Sequence, residues 1–282
     1  MSQYGTTEGA SLSNYIPVSE RYVHRASDTT IGYTVRGDLT ASPVLVFVHG
    51  WGCNRTDFAA TTQELTDYAA ISIDLAEHGE SRSERDNWSI AEFARDVVAV
   101  LDQEAIRSCM IVGHSMGGAV AVDVANMLGS RVTEVVVLDS LHYLSLFQTM
   151  PEDAIDNFMA LARSDFPSLV RTMVDVGSPE GFVQELKDKY FNQMVVVRQP
   201  AGVGAFEGIL RWDLDRSLGA LVQPLTIFAV RALITQEAVD KLQPVAQMVY
   251  IESGSHHFPK EDPVRTAHLI RRVLQQTRTS SP

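Results

Sequence analysis

The stretch Cys109-Met-Ile-Val-Gly113-His114-Ser115-Met116-Gly117-Gly118 decides the reading of this chain. A short apolar run ends in a glycine, a serine follows two positions on, and a second glycine stands two positions beyond that. The segment behind it, 117–129, is rich in alanine and valine at helical spacing. Strand, tight turn and helix form the context that a G-x-S-x-G nucleophile elbow requires. The reason is steric. A serine bent between a strand and a helix takes strained dihedrals, so its neighbours two positions away need to be almost free of side chain, and Gly113 and Gly117 are. The bend lifts Ser115 Oγ clear of the sheet and sets it at a helix N-terminus, where the backbone favours developing negative charge.

Outward from this point, short apolar runs alternate with helical periodicity. Pro43–Val48, Ala69–Ile73, Val132–Leu138, Leu225–Val230 and Gln247–Ile251 join Cys109–Val112 as near-continuous apolar runs. Such runs are strands covered on both faces. Helical spacing marks 56–68, 89–105, 117–129 and 263–276, and Ser89 with Glu92 three residues on reads as a capping box. Arg21–Ala26 and Ile31–Arg36, joined at Ser27-Asp28, read as an antiparallel hairpin. The fold expected is α/β, a mostly parallel twisted sheet with helices on both sides.

From about Leu141 to Ser217 the alternation stops. Pro151–Arg163, Pro167–Val176 and Pro179–Met194 have helical spacing and proline starts. The division expected is a flexible tail over 1–18, a core from 19–140 and 218–282, and a helical lid over 141–217, inserted before the last two core strands.

His49-Gly50-Trp51-Gly52 closes the Pro43–Val48 run. An elbow serine that attacks a carbonyl needs two backbone N–H donors for the oxyanion. One comes from the residue after the nucleophile, Met116. The other comes from the loop after an earlier strand, best assigned to Trp51. His49 reads as a loop-bracing residue.

In these motifs the chain resembles the α/β-hydrolase superfamily, over nearly its whole length after residue 20. Asp74-Leu-Ala-Glu77-His78-Gly79-Glu-Ser81 adds to the likeness, resembling the family's D-x-x-G-x-G-x-S turn with Glu77 in place of a glycine. Asp74 and His78 are scaffold residues there. The resemblance implies a catalytic histidine on the loop after the last strand, Ser253-Gly-Ser-His256-His257-Phe-Pro. His256 fits the family spacing, with His257 as its rival. The usual acid slot, after Leu225–Val230, falls on Ala232 or Leu233, which carry no acid. Some members place the acid one strand earlier, and there this chain has Asp139. Glu237 or Asp240 reaching back from the following helix is the alternative.

The function implied is a serine hydrolase acting on a carboxylic ester, lactone or thioester of a small, apolar or aromatic substrate. Ser115, His256 and Asp139 are the triad; Trp51 and Met116 supply the oxyanion hole. The rival readings are a cofactor-free heteroaromatic ring-opening dioxygenase on the same fold and a non-catalytic ligand receptor. The lid's Phe147, Met150, Phe158, Met159, Phe166, Met173, Phe182, Tyr190, Phe191, Phe206 and Trp212 are the pool from which specificity would be drawn.

Composition narrows the partners. The 282 residues are 45% hydrophobic with net charge −12. Lys and Arg are scattered, which argues against nucleic acid, and no apolar run approaches the ~20 residues of a spanning helix. The opening MSQYGTTEGASLSN is polar and reads as a tail, not a secretory signal. Cys53 and Cys109 form no framework, which suits a reducing, cytoplasmic setting. No dinucleotide motif follows a strand and no His/Cys/Asp cluster has ligand spacing, so neither cofactor nor metal is expected. A small-molecule substrate is the expected partner, and a homodimer is compatible with the reading.

Overall fold

The structure, a computed structural model, describes residues 17–26 and 28–279. The expected tail over 1–18 falls almost wholly outside them. So does Ser27, half of the expected hairpin turn. Among the described residues nine strands form one sheet. Two antiparallel strands lead, β1 (Val18–Ala26) and β2 (Thr29–Arg36). The others are β3 (Val44–Val48), β4 (Ala70–Ile73), β5 (Arg82–Ser83), β6 (Cys109–His114), β7 (Val132–Leu138), β8 (Leu225–Val230) and β9 (Gln247–Ile251). Their order is β1-β2-β4-β3-β6-β7-β8-β9, with β5 paired to β2, and all pairs from β4 to β9 are parallel.

The apolar runs behave as their composition dictates. β3, β4, β6 and β8 are buried at every residue. Side chains alternate between two faces, so one strand feeds two cores. Val46 and Val48 join the cluster on one side of the sheet, and Leu45 and Phe47 the cluster on the other. Each fully buried Val, Leu or Ile contributes about 1.5–3 kcal/mol relative to exposure.

The helices are α1 (Ala59–Glu64), α2 (Ile90–Gln103), α3 (Met116–Leu128), α4 (Leu144–Phe147), α5 (Glu152–Ser164), α6 (Phe166–Val176), α7 (Gln184–Met194), α8 (Ala201–Leu210), α9 (Leu214–Ala220), α10 (Gln236–Leu242), α11 (Phe258–Glu261) and α12 (Pro263–Thr279). Ser89 Oγ accepts from the Glu92 N–H at 3.4 Å, so α2 has its N-cap. The capping box is only half made. Asn87 Oδ1 takes the Ser89 N–H, and the Glu92 carboxylate turns to Arg25 at 2.5 Å. A full charge partner competes better for a carboxylate than a neutral amide does.

Six helices, α4–α9, fill the span between β7 and β8, where sequence patterning marks only three segments. α8 escaped because it carries Gly202, Gly204 and Gly208, which read as helix breakers. Their use is close approach: a Cβ on Gly204 would stand 2.3 Å from Trp88 Cδ1, and one on Gly208 2.3 Å from the Trp88 carbonyl. Among the described residues no helix is long and apolar enough to cross a membrane.

Register places the site. Val48 pairs with Gly113, His114 with Leu138, and Leu138 with Phe228. The carboxyl ends of β3, β6, β7 and β8 are therefore level. The chain runs from β3 outward to β4, then returns to lay β6 on the other side of β3. In an open α/β sheet the crevice outside the strand ends at such a reversal is where ligands bind.

Candidate active site

Ser115 stands at the end of β6, ahead of α3, with φ +55° and ψ −125°. Positive φ on a non-glycine residue costs on the order of 1–3 kcal/mol and persists only where the surroundings enforce it. The two glycines permit the bend. A Cβ on Gly113 would lie 2.1 Å from the Gly117 carbonyl oxygen, and one on Gly117 2.3 Å from the Val48 carbonyl oxygen. Both contacts are to backbone, so no rotamer change would relieve them. The turn is tied down by the Gly118 N–H to the Ser115 carbonyl at 2.8 Å and by Ser140 Oγ to the same carbonyl at 2.6 Å.

The His49–Gly52 loop lies directly against the elbow. The position of a Cβ on Gly50 is 2.9 Å from Ser115 Cβ. His49 braces the loop: its Nδ1 donates to the Gly50 carbonyl at 2.7 Å and its Nε2 accepts the Leu75 N–H at 3.0 Å. Trp51 and Met116 line one cavity with Ser115 and His256. The Trp51 indole N–H donates to the Gly202 carbonyl of α8 at 2.7 Å.

Of the two adjacent histidines, it is His256 whose Nδ1 donates to Asp139 Oδ2, at 2.8 Å. His257 turns the other way, its ring 4.0 Å from that of Tyr190. Burial, then the neighbouring His256 and His114, hold the His257 imidazole well below the ordinary histidine range, so it stays neutral. His114 lies behind the elbow. Its Nε2 donates to the His256 carbonyl at 2.8 Å, and burial with the adjacent His256 pushes its pKa down to about 3.

Asp139 follows β7 at φ +46° and is wholly buried. Its Oδ1 accepts the Val230 N–H at 2.7 Å and His142 Nε2–H at 3.0 Å; its Oδ2 accepts the Tyr143 hydroxyl at 2.6 Å as well as His256. Burial alone would raise the carboxyl. The hydrogen bond and charge of His256, with His142 and the Tyr143 hydroxyl, outweigh it and hold Asp139 below the ordinary carboxylate range. Glu237 and Asp240 are exposed on α10, and Asp240 is engaged by Gln236 at 2.7 Å. His142 and Tyr143 carried no motif in the sequence. The signal that could have found them is their spacing, three and four residues after the candidate acid.

Asp74 and His78 brace the turn after β4. Asp74 accepts the Arg55 N–H at 2.6 Å and the Glu80 N–H at 2.8 Å and pairs with the Arg55 guanidinium. His78 donates to the Ala76 carbonyl at 3.0 Å. Of the apolar residues in the 141–217 span, Phe147, Met173 and Phe206 reach the cavity, joined by Leu146, Val176, Met194 and Ile209. Phe182 and Phe191 do not line it and pack beside the core cluster.

Residues 45–269 match the sequence model of the Alpha/beta hydrolase family. A putative esterase/lipase of Haemophilus influenzae is 31% identical over 100 residues, 35% of this chain and 34% of that protein. The sn-1-specific diacylglycerol lipase ABHD11 of Mus musculus is 29% identical over 174 residues, 60% of this chain and 51% of that protein. The chain thus spans about a third to a half of the length of these curated relatives. In fold it is similar to an esterase from Exiguobacterium antarcticum, with a TM-score of 0.76 at 16% identity over 90% of this chain and 98% of the other. The family match covers most of the chain and coincides with the sheet order and the strand–turn–helix at Ser115: this protein belongs to the alpha/beta hydrolase family.

Proposed function

We propose that the protein is a serine hydrolase that cleaves a carboxylic ester of a small, largely apolar or aromatic substrate through an acyl-enzyme. The observation that carries the reading is the His256–Asp139 hydrogen bond, in a cavity that His256 shares with Ser115. The esterase and lipase names of the relatives point the same way.

In this mechanism His256 Nε2 takes the proton of Ser115 Oγ as the oxygen adds to the ester carbonyl carbon. Asp139 keeps the other ring nitrogen protonated and stabilises the imidazolium that forms. The Trp51 and Met116 N–H groups bind the oxyanion; loss of one such donor costs about 10²–10³-fold in rate. The tetrahedral adduct collapses, the C–O bond to the alcohol breaks, and His256 returns its proton to the leaving oxygen. Water repeats the cycle on the acyl group and releases the acid.

The α4–α9 span serves as the lid. Three contacts favour that role: the Trp51 indole bond to Gly202, the His256 N–H bond to the Gly177 carbonyl at 2.7 Å, and the cavity wall formed by Met173, Met194 and Phe206. Among the described residues the wall carries no Lys, Arg, Asp or Glu, which favours uncharged substrates.

The test is turnover of p-nitrophenyl acetate and butyrate by the wild type and Ser115→Ala. The reading expects an initial burst of p-nitrophenol in the wild type and loss of at least about 10³-fold in the variant. Oxygen consumption with a hydroxyquinolone, retained in Ser115→Ala, would replace it with the dioxygenase reading. Saturable ligand binding without turnover would replace it with the receptor reading.

A further inference from the structure

The five residues Asp139–Tyr143 form a strained turn. Asp139 has φ +46° and Leu141 φ +66°, both in the left-handed region that β-carbon-bearing residues avoid. The bend sends three side chains to one point. Asp139, His142 and Tyr143 meet, and Ser140 between them holds the carbonyl of Ser115 at 2.6 Å. One short segment thus grips the serine from one side and the base from the other.

An ionised carboxylate offers about four lone-pair sites. On Asp139 all four are taken, two on each oxygen: Val230 N–H and His142 on Oδ1, Tyr143 and His256 on Oδ2. Tyr143 Oη also stands 3.3 Å from His256 Nδ1, so hydroxyl and imidazole share one carboxylate oxygen side by side. His142 is not a second base. Its side chain is wholly buried and absent from the cavity wall, and its Nδ1 has no partner among the described residues.

We propose that Tyr143 and His142 are positioning residues for the base: they lock the Asp139 carboxylate so that Oδ2 faces His256, and they moderate how strongly it draws on that imidazole. The inference rests on the serine-hydrolase reading, in which His256 is the base. Its direction follows from charge sharing. Each donor to the carboxylate withdraws negative charge from it, so removing one leaves more for His256 and stabilises the imidazolium. The other titratable neighbours of His256 are His114, with ring centres 4.7 Å apart, and His257, at 5.4 Å. Behind His257 stand Tyr190 and Lys260. The substitutions below touch none of these.

The experiment follows His256 through pH by NMR in the full chain labelled with ¹⁵N-histidine, for the wild type, Tyr143→Phe, His142→Leu and His142→Gln. The pH profile of kcat/KM on p-nitrophenyl acetate is recorded beside it. Tyr143→Phe and His142→Leu should each raise the His256 midpoint by about half a pH unit, a direction and scale expected from loss of one donor to the partner carboxylate. The acidic limb of the profile should move with it, and kcat should fall about 3–10-fold with KM nearly constant. His142→Gln keeps an N–H close to the Nε2 position and should titrate close to the wild type.

Midpoints that coincide with the wild type in folded Tyr143→Phe and His142→Leu would overturn the inference. So would activity losses with an unmoved midpoint, which would leave these side chains a packing role only. Shifted midpoints in a protein that turns over no ester would support the positioning relation while removing the hydrolase reading.

Discussion

The Asp139 carboxylate lies 2.8 Å from His256 Nδ1 although 117 residues separate them in the chain. The parallel register of β7, β8 and β9 carries the two together. Asp139 stands just past the carboxyl end of β7, where its N–H donates to the Phe228 carbonyl at 2.7 Å and its Oδ1 receives the Val230 N–H. Asp139 is therefore pinned by β8, the strand after whose end the family's usual acid slot lies. The carboxylate that reaches the His256 imidazole thus comes from the end of β7, while Glu237 and Asp240 on α10 are exposed.

Asp139→Asn should reduce kcat/KM on p-nitrophenyl acetate by about 10³–10⁴-fold while the circular dichroism spectrum stays that of the wild type. Glu237→Gln and Asp240→Asn should remain within about twofold, because both side chains point to solvent. A dead Glu237→Gln beside an active Asp139→Asn would reverse the assignment.

The histidine pair separates in the same assay. His256→Ala should lose at least about 10³-fold. His257→Phe keeps a ring against Tyr190 and should lose less than about tenfold, through the shape of the cavity wall alone. Equal losses in the two variants would contradict the pairing of His256 with Asp139.

Gly50→Ala places a methyl group 2.9 Å from Ser115 Cβ and 3.2 Å from His114 Nδ1. Both neighbours are held by hydrogen bonds, so the loop must retreat and its N–H donors with it. The expected result is a fall in kcat of about 10²-fold, the scale of one lost oxyanion donor, with a smaller change in KM. Wild-type kcat in this variant would show that the His49–Gly52 loop does not shape the reaction.

Acid should destabilise the fold. Burial holds His114 and His78 at about 3, well below their unfolded value near 6.5. Between these limits the unfolded chain binds more protons than the folded one. Their contribution is complete above pH 6.5 and declines as pH falls, at up to about 1.4 kcal/mol per pH unit for each histidine. His257 and His142, also depressed by burial, act in the same direction. The urea midpoint should therefore stay level from pH 7.5 to about 6.5 and drop steadily from there to pH 5. A flat or rising midpoint would contradict neutral burial of these imidazoles.

The sheet was readable because parallel strands covered on both faces leave uninterrupted apolar runs, as Val44–Val48 and Leu225–Val230 do. The elbow was readable because its geometry admits little but glycine at 113 and 117. What stayed hidden depends on contacts between segments distant in the chain. The glycines of α8 look like helix breakers until Trp88 is seen against them. His142 and Tyr143 resemble any loop residues until the positive φ angles at Asp139 and Leu141 turn them onto the carboxylate. Which aromatics of the 141–217 span reach the cavity was equally closed to pattern reading, since a helical stripe of apolar residues does not say which part of it meets an opening.

The most direct measurement is covalent. The wild-type protein is treated with a fluorophosphonate and its peptides are mapped by mass spectrometry. One adduct is expected, on Ser115, absent from Ser115→Ala and formed far more slowly in His256→Ala. Ester turnover without an adduct on Ser115, or an adduct on another residue that abolishes turnover, would contradict it.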